Sequence, residues 1–355
     1  MDTTEQLLQV LTDAHGVPGY ETEVRAIIRR YLDPLGQVIQ DKIGSVICKL
    51  GDGSAPRVLL AGHMDEVGFM VRHITKEGFI RFIPLGGWWD HVLLGQRVVI
   101  KTSSGDVIGI IGAKPPHLIS ADERKKMVEK KDMYIDIGAS SAEEVAAAGV
   151  RIGDPVAPDS HFTSLAGGKT YLAKAFDNRV GCALMIQAAQ HFAKQSHPNT
   201  LYGVATVMEE VGPRGAVTSV DMIDPDVALI LESEIAGDVP GIKEEECAIK
   251  LGGGPSVMFY DADMIPNLKL RDLVIDTARE LDIPVQFSTM EHGATDGSKI
   301  HLHRAGVPAV VLGVPSRHIH SHGAIIHRDD YDRAARLVIA VVGKLDATTV
   351  SRLVG

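Results

Sequence analysis

The sequence of 355 residues is poor in cysteine, in aromatic residues and in basic charge, and it has no long apolar run. Cys48, Cys182 and Cys247 are odd in number and form no C-x-x-C pair, which argues against a disulfide framework or a thiolate zinc site and for a reducing compartment. No stretch of about 18 apolar residues is present, so no bilayer-spanning helix is expected. The opening segment MDTTEQLLQVLTDAHG reads as a first helix with a Thr3-x-x-Gln6 capping box rather than as a signal peptide. A cytoplasmic location is expected. Only 36 Lys and Arg stand against 46 Asp and Glu, for a formal charge of -10, and this disfavours nucleic acid and anionic membrane surfaces as partners. An acidic cavity that attracts amines fits the balance, although such a charge more commonly serves solubility.

With aromatics at 5%, apolar residues at 45% and 36 glycines, the composition is that of a soluble α/β enzyme. Two amphipathic helices are expected from Thr3 to about Leu35, broken at GVPGYE and followed by the strands QVIQDK, SVICKL and RVLLAG. Between about Glu66 and Ser160 the pattern changes to short β-rich runs: GFMVRHIT, GFIRFIPL, QRVVIKT, DVIGIIGA and MYIDIGA. Helical excursions are expected there at SADERKKMVEKK and SAEEVAAAG. After residue 165 helices and strands alternate: a helix from Asn178 to Lys194, TLYGVATV, a helix after Gly215, DVALIL, a helix from Leu268 to Leu281, PVQFST, PAVVLG, and a helix from Asp329 to Leu345. The fold class is therefore α/β, a mostly parallel sheet with helices on both faces, interrupted by a small all-β, barrel-like insert. Residues 1–65 and 161–355 should form the α/β domain and residues 66–160 the insert.

In open α/β sheets ligands bind outside the carboxyl ends of the strands, and four expected strands deliver chemistry there. RVLLAG is followed by His63 and Asp65, TLYGVATVM by Glu209 and Glu210, DVALIL by Glu232, and PAVVLGVPSRHI by His320. Asp177 stands just before a helix, where it serves either as a plain N-cap or as a ligand. In His63-x-Asp65 one imidazole nitrogen can bind a metal while a carboxylate fixes the other, though a structural histidine gives the same tripeptide. Glu209 and Glu210 together suit a ligand beside a free general base, or else a solvated loop. Asp177 is the best candidate for a carboxylate shared by two ions about 3.5 to 4 Å apart. Local reading leaves Glu232, Glu234 and Asp238 open as the ligand of the LESEIAGD segment, and RHIHSHGAIIH offers His318, His320, His322 and His327 where one is needed.

In order and spacing, GVPGYE, AGHMDEVGFMV, AFDNRVGC, ATVMEEVGPRGA, LILESEIAGDVPG, LGGGPSV, HGATDGS and VPSRHIHS resemble the signature blocks of the TET aminopeptidases, across nearly the whole chain. The resemblance implies a zinc-peptidase-like catalytic domain that removes N-terminal residues from short peptides. It implies two divalent ions, zinc or cobalt: one on His63, Asp177 and Glu232, the other on Asp177, Glu210 and His320. It further implies Glu209 as general base on a water between the ions, Asp65 as the group orienting His63, a cis peptide at Asp177–Asn178, and Arg214, Thr295 and Asp296 in the substrate pocket. The β insert resembles the family's dimerisation domain, with dimers assembling into a dodecamer. In relatives that share only the catalytic fold, the extra domain enters later, so its position here favours the aminopeptidase branch. The chain departs from the family pattern at Glu232, usually an aspartate, at His318, usually a tyrosine, and at SHGAII, usually proline and acidic residues. Two other readings are kept: glycoside hydrolysis by a metal-free carboxyl pair, and a catalytically idle scaffold.

Overall fold

A computed structural model describes residues 1–354. Its larger part is an 11-stranded sheet whose centre runs through Thr200–Thr206, Arg57–His63, Val227–Ile235 and Ala309–Arg317, each parallel to its neighbour. Antiparallel strands flank this centre on both sides. All four central strands thus end at one edge of the sheet, which brings the residues that follow them together.

Side chains alternate across a strand, and the apolar sequence pattern uses both faces. Val58, Leu60, Leu229 and Leu231 join one buried cluster with the helices Thr3–Asp13, Thr22–Leu32, Phe176–Phe192 and Arg328–Lys344. Leu59, Ala61, Ala228 and Ile230 join a second, with Ala216 and Val220 of helix Arg214–Ile223 and Ile300 of Gly297–Ile300. The sheet is therefore covered on both faces, and its central strands read as near-continuous apolar runs for that reason. Each fully buried Leu contributes about 1.5–3 kcal/mol of burial energy in total.

The insert closes as an antiparallel barrel of the strands Gly68–Ile74, Ile80–Leu85, Tyr134–Asp136, Gly105–Gly112, Arg97–Thr102 and Pro155–Pro158, in that spatial order. It has a core of its own, in which Phe69, Phe82, Trp88, Ile100, Ile135 and Val156 pack together. No described helix is long and apolar enough to cross a membrane.

Several sequence expectations are corrected. The capping box of the first helix is Asp2 with Glu5, not Thr3 with Gln6, because Asp2 takes the extended backbone of an N-cap. SADERKKMVEKK forms only the short turns Glu123–Lys125 and Lys130–Asp132. Apart from Ala121, Met127 and Val128 its residues are polar, and they bury no stripe, so nothing offsets the cost of ordering a helix. The strands Ser256–Asp261 and Ala324–His327 were not anticipated. The first follows a glycine run that reads as a turn, and the second lies in the segment read as a histidine-rich loop. Glu232 lies within its strand rather than after it, paired with Gly313.

Candidate active site

The first functional side chain, His63, is the last residue of its strand and is 2% exposed. Its Nδ1 lies 3.2 Å from the Asp65 carbonyl oxygen and 3.4 Å from Asp65 Oδ1. Asp65 is fully buried, and its main bonds go elsewhere: Oδ1 accepts the Glu209 N–H and Oδ2 the Glu210 N–H, each at 3.0 Å. Sequence reasoning assigned Asp65 to His63 alone. The structure adds that it fixes the turn carrying both glutamates.

Asp177 enters on the first turn of helix Phe176–Phe192, where Asp177 and Asn178 leave helical geometry and the Asp177–Asn178 peptide is cis. Asn178 ties this turn down: its amide donates to the Leu231 carbonyl at 2.7 Å and its oxygen accepts the Gly181 N–H at 2.9 Å. Glycine is required at 181, since a Cβ there would sit 2.2 Å from the Leu231 oxygen. The close approach of helix and strand sets how far Asp177 reaches over the sheet edge.

The two oxygens of Asp177 face different histidines. Oδ1 lies 3.1 Å from His63 Nε2, and Oδ2 lies 3.2 Å from His320 Nε2. Glu232 Oε2 stands 3.9 Å from His63 Nε2, and Glu210 Oε2 stands 3.3 Å from His320 Nε2. Donor atoms of His63, Asp177 and Glu232 lie within 4.8 Å of one another, as do those of Asp177, Glu210 and His320. Glu209 belongs to neither group, and its Oε2 lies 3.9 Å from His63 Nε2.

These groups fit divalent ions. Two donors each about 2 Å from one ion stand roughly 3 to 4 Å apart, the spacing found here. Glu210 Oε1 and Glu232 Oε1 are buried without a hydrogen-bond partner, the state expected of oxygens meant for a cation. The donor set is oxygen and imidazole, suited to zinc and its neighbours.

Electrostatics point the same way. Burial and the Asp177 charge push the Glu210 carboxyl up to about 8, and burial drives Glu209 and Glu232 well above the usual carboxylate range. Burial also raises Asp296, to about 6. Burial would raise Asp177 too, but hydrogen bonds from His320 and His63 hold it low. His320 is raised to about 9 because its bond to Asp177 and the Glu210 charge outweigh burial. So many buried carboxyl groups gathered round two imidazoles hold protons that cations would displace.

The alternatives left open by the sequence have other occupations. Glu234 takes the Ser256 and Ser288 hydroxyls, and Asp238 pairs with Arg317. His327 caps the last long helix by accepting the Asp329 N–H. His318 is exposed, and His322 is buried beside Trp88. Thr295 lines the cavity over the site, whereas Arg214 is exposed and bonds the Val211 carbonyl, outside that lining. Asp296 is fully buried behind the cavity and accepts the Thr206 hydroxyl.

A protein-family model described as M42 glutamyl aminopeptidase matches residues 44–337. The chain belongs to this family. It is thereby an aminopeptidase, a hydrolase acting on peptide bonds. A second model, described as AMPT, matches residues 2–27. The chain is 42% identical over 349 residues to the putative aminopeptidase FrvX of Escherichia coli, covering 98% of this chain and 97% of FrvX. It is 49% identical to the TET aminopeptidase of a Thaumarchaeota archaeon from marine sediment, with a TM-score of 0.97 and 99% of each chain covered. The TET1 peptidase of Pyrococcus horikoshii, described as assembling into a tetrahedron or a large octahedral shell, is 31% identical with a TM-score of 0.86, over 97% of this chain and 100% of that one.

Within this M42 chain the sequence reading missed the groups that hold the site in place. Lys174 and Arg179, both buried, bond Glu66 and the carbonyls of Ala14 and Gly16, locking the GVPGYE loop to the strand end. Glu21, 1% exposed, accepts the Met208 N–H at 3.1 Å. The local signal was slight: Glu21 closes the GVPGYE turn and Glu66 follows Asp65 at the strand end. Ala175, Met208 and His320 have left-handed backbone at φ 56, 56 and 55°. Such conformations cost about 1–3 kcal/mol each and persist where surrounding structure imposes them.

Proposed function

We propose that the chain is a dinuclear metal-dependent aminopeptidase that cuts single residues from the N-termini of short peptides. The observation that carries this reading is the division of one carboxylate: Asp177 offers Oδ1 toward His63 and Oδ2 toward His320. His63, Asp177 and Glu232 would hold one divalent ion, and Asp177, Glu210 and His320 the other, zinc or cobalt being the natural candidates for such donors.

When bound, the ions supply Lewis acidity to the scissile carbonyl and make water acidic enough to ionise near neutral pH. The rest is the work of this chain. Glu209, free of either donor group, takes a proton from the attacking water and returns it to the leaving amine. Asp65 holds the Glu209 and Glu210 backbone so that the two carboxylates diverge, one toward the ligands and one toward the reacting atoms. Thr295 lines the first-residue cavity, with Asp296 behind it, and Arg214 lies outside its lining.

The residue 66–160 insert is the proposed self-association domain, residues 1–65 and 161–355 being the catalytic one. Ile108 and Ile110 on a barrel strand and Leu118 beside it are exposed, and they suit a dimer contact from which a dodecamer could be built. The free cysteines suit the cytoplasm.

The test is metal removal and return. Chelator-treated protein should lose hydrolysis of aminoacyl substrates and recover it with zinc or cobalt at two ions per chain. Full activity in thoroughly metal-free protein would refute the reading and favour a metal-free carboxyl pair.

A further inference from the structure

His320 stands between two cavities. One, of about 460 Å³, contains Glu209 and both donor groups and is walled by Met258, Met290 and Thr295. The other, of about 940 Å³, lies on the opposite side and is lined by Trp88, Trp89, Val92, Leu172, His318 and His322. Gly87, Ile319 and His320 border both. A peptide whose scissile bond sits beside His320 therefore has one cavity available on each side of that bond.

The sizes assign the sides. An aminopeptidase binds one residue before the cut and all the others after it, so the smaller cavity suits the first residue and the larger the remainder. The larger cavity is also built rather than incidental. His322 is 7% exposed, and neither ring nitrogen makes a hydrogen bond of normal geometry, although the Arg97 carbonyl lies near enough to influence the ring. His322 lines the cavity with its ring nitrogens closed off from solvent. Trp88 has its indole N–H committed to the Gly68 carbonyl and one face stacked on Phe69. Trp89 is 66% exposed and borders the cavity. The loop bearing His318 and His322 is tightly held: the Ser321 hydroxyl lies 2.6 Å from the His318 carbonyl oxygen and 2.9 Å from that of Gly323.

We propose that this second cavity binds the leaving part of the peptide and selects a large apolar or aromatic side chain directly after the cleaved bond. Trp88, Trp89, Val92 and Leu172 receive that side chain. The inference rests on the aminopeptidase reading and names the second residue of its substrates.

The chain has two tryptophans, and both line this cavity, so its intrinsic tryptophan fluorescence reports occupancy. Metal-loaded Glu209→Gln protein is titrated with Ala-Phe, Ala-Gly and alanine amide. The expected result is a saturable change for Ala-Phe at about tenfold lower concentration than for Ala-Gly, and none for alanine amide, which lacks a second residue. Trp89→Ala, at an exposed position, should reduce the Ala-Phe preference to about twofold or less. Equal affinities for Ala-Phe and Ala-Gly, or an equal response to alanine amide, would overturn the subsite. Failure of the unaltered enzyme to hydrolyse either dipeptide counts against the aminopeptidase reading instead, while hydrolysis of both at equal kcat/KM overturns the subsite alone.

Discussion

Asp65 holds Glu209 by the backbone, accepting its N–H at 3.0 Å on one carboxylate oxygen, while the other takes the Glu210 N–H at the same distance. A residue expected to orient a histidine therefore also sets the divergence of the two glutamates. Asp65→Asn keeps the shape but turns one of these acceptors into a donor. Activity should fall about 10- to 100-fold, more in kcat than in the number of ions bound. Kinetics beside elemental analysis of the same sample would check it, and an unchanged kcat would contradict the positioning role.

Removing the shared carboxylate should cost both ions, and removing an unshared one should cost a single ion. Asp177→Asn is expected to leave close to no metal after dialysis. Glu232→Gln should retain the ion on Glu210 and His320. Elemental analysis per chain distinguishes these outcomes, and equal losses in the two variants would count against a bridging role for Asp177.

Gly181→Ala places a methyl against the Leu231 carbonyl oxygen and the Asn178 side chain. The helix must then move off the sheet and carry Asp177 with it. A stability loss of about 1–3 kcal/mol is expected, together with weaker metal binding, measurable by thermal melts with and without added zinc.

The pH dependence follows from groups whose proton affinity is raised in the metal-free fold. Burial pushes Glu210 up to about 8, and its bond to Asp177 with the Glu210 charge raises His320 to about 9 against the effect of burial. Each binds more protons folded than unfolded, so each loses stabilising effect as pH rises, Glu210 from roughly 4.3 upward and His320 from roughly 6.5. Asp177, held low, acts oppositely and only in acid. The metal-free Tm should fall between pH 5 and pH 9. The gain in Tm on adding metal should widen over the same range, because binding must displace those protons. A gain that shrinks with pH would contradict the assignment of Glu210 and His320 as ligands.

Much of this arrangement was legible in the sequence, because four of the candidate ligands lie within or just after an apolar run long enough to be a buried strand. RVLLAG and DVALIL could be little else. Position along a strand was less legible: Glu232 and Glu234 share a face by period, and only the hydrogen bonds of Ser256 and Ser288 to Glu234 separate them. The long-range locks were out of reach. Nothing local in Lys174 says that it reaches Ala14 and Glu66, since such contacts arise from packing between segments distant along the chain. The polar SADERKKMVEKK segment misled because charge and helix propensity alone, without a buried face, do not make a helix.

The most direct test of the account is the turnover of Glu209→Gln with its metal counted. The account predicts two ions per chain, a fold as stable as the unaltered protein, and hydrolysis of Ala-Phe reduced by about 10²- to 10⁴-fold, the usual contribution of a general base. Turnover near the unaltered rate, with both ions in place, would contradict it.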